Sequence, residues 1–75
     1  MSHLQIVALE SPLVATPNQA MKALMVSRST LYGLINNGEL DSYTEGRSRR
    51  ITVKSISAYV DRRLAAESER RGNVG

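Results

Sequence analysis

Seventy-five residues, with ten Lys and Arg against seven Asp and Glu and a net charge of +3, make one small domain. A chain of this size buries only about 60% of the surface its unfolded form exposes, which leaves no room for an enzyme cleft with its own supporting shell. The chain has no cysteine, so a disulfide framework and a thiolate zinc site are both excluded.

Residues 1–15 read as a leader. Leu4-Gln5-Ile6-Val7-Ala8-Leu9 is mostly apolar and Ser11-Pro12 ends it; Leu13-Val14-Ala15 is a second short apolar run. The start has no basic region and is not a signal peptide, and no stretch is long enough to span a bilayer. Either run can form a strand. The leader then packs on the domain, or it offers an exposed edge to a neighbouring molecule, with Leu4, Ile6 and Leu9 as candidates for self-association.

The first helix is expected over Pro17–Leu24. Thr16 supplies a hydroxyl cap, and Pro17 stands at the first helical position, where no amide hydrogen is missed. Ala20, Met21 and Leu24 recur at helical spacing and form its inward face. Only Met25 and Val26 separate this helix from Ser27, the cap of a second helix over Arg28–Asn36 with an apolar stripe of Leu31, Leu34 and Ile35. Two short helices joined so tightly spell a helix-turn-helix. The opposite side of the second helix carries Ser29, Tyr32, Gly33 and Asn36, with Arg28 at its edge. Asn37-Gly38 then reads as a stop.

A hairpin follows, with Gly46 in its turn and Tyr43 and Ile51 as the inward anchors. A two-stranded hairpin is not stable alone and must lean on the helices. Thr52 caps a third helix over 53–71 with Val53, Ile56, Val60 and Leu64 facing inward. Gly72 is its expected stop, and residues 73–75 are a frayed tail. The fold class is therefore mainly α with a small β-hairpin: a winged helix-turn-helix domain over 16–72.

The charge distribution points to double-stranded DNA. Arg47, Arg49, Arg50 and Lys54 fall within a short stretch of the hairpin and its exit. A strand tip with arginines fits a minor groove, where narrow segments concentrate negative potential, and Arg47 and Arg49 are expected there. The polar, uncharged face of the second helix suits base edges in the major groove, which admits one α-helix. There Asn36 can pair with adenine, and Tyr32 can reach a phosphate or a thymine methyl. Arg28 can hold phosphate together with the exposed amides of the first helical turn. The candidate contacts are Ser27, Arg28, Ser29, Thr30, Tyr32, Gly33 and Asn36 on the helix, and Arg47, Ser48, Arg49 and Arg50 on the wing. His3 has no nearby carboxylate or cysteine, and no serine has a local histidine partner. No catalytic residue, metal ligand or cofactor is assigned.

These motifs resemble the excisionase family, whose DNA-binding domain is a MerR-like winged helix. The resemblance rests on Leu24, Val26-Ser27-Arg28-Ser29-Thr30-Leu31-Tyr32, Gly38-Glu39-Leu40 and Gly46-Arg47-Ser48-Arg49-Arg50-Ile51. Met25 stands in place of a usual turn glycine, Gly33 where a basic residue is frequent, and Asp41 in place of a common proline. The resemblance implies a recombination directionality factor of a phage or mobile element, working in the bacterial cytoplasm. Such proteins do no chemistry: they bind adjacent DNA sites alongside copies of themselves, bend the DNA and direct a tyrosine integrase towards excision. The same domain also serves small transcriptional regulators. A protein-binding adaptor is the rival from another class.

Overall fold

The computed structural model describes residues 12–74, with side chains to residue 70; Leu4, Ile6, Leu9 and His3 lie outside the described residues. The element order is β1 (Val14–Ala15), α1 (Pro17–Leu24), α2 (Arg28–Asn36), β2 (Ser42–Glu45), β3 (Ser48–Thr52) and α3 (Val53–Val74). The strands form one antiparallel sheet in the order β1-β3-β2.

Each helix starts where its cap dictates. At α1 the Thr16 hydroxyl accepts from the Gln19 amide and the Gln19 side chain accepts from the Thr16 amide, a reciprocal capping box. At α2 the Ser27 hydroxyl accepts from the Thr30 amide. At α3 the Thr52 hydroxyl accepts from the Ser55 amide, and the buried Ser55 hydroxyl donates back to the Thr52 carbonyl.

The helix ends use the left-handed conformation differently. Gly38, with φ of +79°, closes α2; its amide donates to the Ile35 carbonyl and the Glu39 amide donates to Leu34. That double reversal satisfies carbonyls the helix leaves open. Asn37 stays right-handed, so of the two expected stop residues glycine alone takes the unusual backbone. Met25 makes the corresponding turn at the end of α1 with φ of +57°. The turn therefore forms without glycine, at a cost of roughly 1–2 kcal/mol for a side-chain-bearing residue in that region.

The core is small: Ala15, Ala20, Leu31, Leu34, Leu40, Ile51 and Ile56, with Met21, Leu24, Val26, Ile35, Val53 and Tyr59 packed partly against it. Ala20 and Leu31 bring α1 and α2 together with no exposed surface on either side chain. Ile51, also fully buried, is the residue through which the sheet meets the helices.

Two expectations are corrected, on Tyr43 and on α3; the hairpin itself forms, and the second apolar run of the leader adds a strand to it. Val14 and Ala15 pair with Thr52 and Ile51 on the far side of β3, and the Val53 amide donates to the Leu13 carbonyl, so β3 is a central strand. Tyr43 does not point inward beside Ile51; it is 46% exposed. The register pairs Ser42 with Ile51 and Tyr43 with Arg50. Directly paired residues share a face and neighbours alternate, so Ser42 goes inward and Tyr43 outward.

The other correction concerns α3, which outruns the body. Every residue from Val60 to Arg70 is exposed, and Leu64 is 63% exposed although its spacing continues the inward stripe. Val60 and Leu64 instead border an apolar groove of about 440 Å³ shared with Leu24, Met25 and Val26. The helix also passes through Gly72 to Val74 without stopping.

Candidate nucleic-acid interface

The candidate interface is built on one face of α2. Arg28, Tyr32 and Asn36 are spaced four apart and form one stripe, with Ser29 and Gly33 beside it. Arg28, Ser29, Thr30 and Asn36 are exposed, while Tyr32 and Gly33 are half-buried. Ser27 and Thr30 are engaged in the cap: beyond the amide bond, the Ser27 hydroxyl donates to the Thr30 hydroxyl at 3.1 Å. They fix where α2 begins before either meets a partner.

Arg28 does not extend freely. Its Nη2 donates to the Asn18 side-chain oxygen at 2.9 Å, which joins the first turn of α2 to the first turn of α1. Both helices thus present their N-terminal ends, with unpaired amides, beside one guanidinium.

The wing divides its arginines by geometry. Gly46, with φ of +62°, and Arg47 form the two-residue turn between Glu45 and Ser48. Glycine at the first central position suits the primed turn whose twist matches the flanking strands. Arg47 stands exposed at this tip. Arg50 and Ser48 lie on the outer face of the sheet, Arg50 opposite Tyr43 and Ser48 opposite Glu45. Arg49 lies on the inner face with Ile51, half-buried, and its guanidinium sits 5.8 Å from the centroid of the Tyr32 ring. Its Nη1 donates to the Ser42 hydroxyl at 2.8 Å.

The Arg49–Tyr32 contact puts the wing and the exposed stripe of α2 on one side of the molecule. The chain belongs to the helix-turn-helix domain family. Residues 16–64 match that family, a span that includes both helices, the sheet's β2 and β3 and the packed part of α3. This helix-turn-helix chain is also similar to a protein of Saccharopolyspora erythraea named a probable excisionase. The two are 35% identical over 60 residues, covering 80% of this chain. The chain spans 61% of that relative's length. No solved structure matches it.

The helix-turn-helix domain is a DNA-binding fold. Among the described residues no group of His, Cys, Asp or Glu side chains has the arrangement to hold a metal ion, and no helix is long and apolar enough to cross a membrane. The sequence singled out the arginines and the α2 stripe. It missed Asn18 and Ser42, the side chains that hold Arg28 and Arg49. Asn18 follows a capping threonine and proline, so it reads as an ordinary first-turn residue. Ser42 carries no signal until the register places it diagonally from Arg49.

Proposed function

We propose that this domain is an excisionase: a DNA-binding architectural protein that does no chemistry. In this reading α2 lies in the major groove with Ser29, Tyr32, Gly33 and Asn36 towards base edges. Ser27, Arg28 and Thr30 lie at the backbone near its N-terminus. The wing reaches the neighbouring minor groove with Arg47 foremost, and Ser48, Arg49 and Arg50 add backbone contacts. Copies bind adjacent sites cooperatively through the leader residues Leu4, Ile6 and Leu9, bend the duplex and bias a tyrosine integrase towards excision in the bacterial cytoplasm.

The observation that carries the DNA-binding part is the placement of Arg49 over Tyr32, which makes the wing and helix one continuous surface. The name of the Saccharopolyspora erythraea relative supports the excision role. Gel-shift titration on the attachment-site DNA of the mobile element, beside an integrase recombination assay, tests both parts. Cooperative binding with stimulated excision is the expected result. Binding confined to a promoter, with no effect on recombination, assigns the domain to transcriptional regulation. Failure to bind any duplex leaves the protein-binding adaptor.

A further inference from the structure

We propose that Ser42 and Tyr32 are positioning residues that lock Arg49 as a fixed backbone clamp where the wing meets the recognition helix, leaving Arg47 as the arginine that enters the groove. The proposal rests on the DNA-binding reading above and adds a division of labour within the wing.

The wing arginines differ in what each touches. A guanidinium has five N–H donors in a rigid plane. In Arg49 the Nη1 edge is committed to the Ser42 hydroxyl at 2.8 Å, and one face of the plane is within cation–π distance of Tyr32. Two contacts from two different elements, β2 and α2, hold the group in place. The donors that remain are those of a half-buried side chain at the crease between helix and wing. Such a group cannot follow a minor groove, but it is pre-ordered for an oxygen of the phosphate backbone, and pre-ordering removes the entropy cost of fixing a long side chain on binding. Arg47, exposed in the turn, retains the reach that Arg49 has given up.

Two roles change in consequence. The Tyr32 ring serves as a shelf for Arg49, a role that does not use its hydroxyl. Ser42 need not touch DNA at all, yet its removal loosens a residue that does. The arrangement also ties the wing to α2, beside the buried Ile51 of β3.

The test combines a thermodynamic cycle with salt titration, using the full chain and a duplex carrying its site. Arg49→Ala is expected to weaken binding and to flatten the log–log salt dependence by about 0.9, one phosphate contact. Ser42→Ala and Tyr32→Leu are each expected to weaken binding about threefold, the scale of one exposed cation–π contact or neutral hydrogen bond, with the salt slope unchanged. Tyr32→Phe keeps the ring and should leave the Arg49 environment of the free protein unchanged. The Ser42→Ala/Arg49→Ala double variant should bind no worse than Arg49→Ala alone, because the serine acts through the arginine. Additive losses in that double variant overturn the proposal. A readout without DNA separates it from the parent reading. In the free protein the Arg49 Nε–H nuclear magnetic resonance signal should be upfield-shifted by the ring and should move to the position of a solvated arginine in Tyr32→Leu. If the signal sits at the solvated position in the parent, the lock does not exist, whatever the protein binds. If the signal is shifted but no duplex binds, the clamp role fails with the DNA reading while the contact stands.

Discussion

Arg28 donates to the side-chain oxygen of Asn18 across 2.9 Å, tying together the opening turns of α1 and α2. The bond bridges the first turns of the two helices and holds a cation beside the N-terminus of α2, which is an electrostatic arrangement that suits a phosphate. Replacing Arg28 with Ala is expected to weaken duplex binding by on the order of 1 kcal/mol and to lower the salt slope by about 0.9, measured by anisotropy at several salt concentrations. Asn18→Ala should lower affinity less and leave the slope intact, because the charge remains. A slope unchanged in Arg28→Ala would remove this residue from the backbone contacts.

Arg47 and Asn36 should fail in different ways. Arg47→Ala, at the exposed wing tip, is expected to weaken binding about equally on all sequences and to reduce the salt dependence, since backbone and groove-potential contacts carry little sequence information. Asn36→Ala should instead narrow the gap between the cognate site and random DNA, by about 1–3 kcal/mol for one lost paired contact to a base. Competition titrations with specific and nonspecific duplexes read both effects. Uniform weakening by Asn36→Ala would reassign it to the backbone.

Met25 turns the chain between the two helices with φ of +57°, yet its side chain is 89% exposed. That side chain lies at the rim of the groove beside Val60 and Leu64, so little packing is lost by removing it, and the left-handed strain of roughly 1–2 kcal/mol is relieved by glycine. Part of the gain is returned as unfolded-state entropy. Met25→Gly should therefore raise stability by about 1 kcal/mol, seen as a rise in Tm of several degrees for a domain this small. A lower Tm would mean that the exposed thioether contributes packing that the geometry does not show.

Gly33 gives a sharper separation of stability from function. A Cβ built there meets nothing within 4 Å, so Gly33→Ala fits the free domain and should stabilise α2 by up to about 1 kcal/mol. If the helix backbone approaches DNA closely at this residue, the same substitution should weaken binding while raising Tm. Unchanged affinity in the more stable variant would place Gly33 away from the duplex.

Much of the local structure was legible before any coordinates. Thr16-Pro17, Ser27 and Thr52 each begin a helix because a side-chain oxygen satisfies an amide within three residues, and such short-range bonds depend only on neighbours in sequence. The stripe of Leu31 and Leu34 likewise dictated which face of α2 is buried and, by exclusion, which face is offered to a partner. Gly46 marked the turn that puts Arg47 at its tip.

Tertiary structure decided everything that depends on register or on where the body of the molecule ends. A one-residue shift in pairing inverts a strand, so only the observed partners could show that Tyr43 faces outward and that Ser42 and Arg49 face the helix. The periodicity of α3 carried no mark of the point beyond which there is nothing left to pack against; Val60 and Leu64 keep the pattern and lack the cover. The grip of Asn18 on Arg28 and of Ser42 and Tyr32 on Arg49 joins residues from separate elements. Composition supplied the arginines; the meeting of those elements determined which of them are held and which are left to reach.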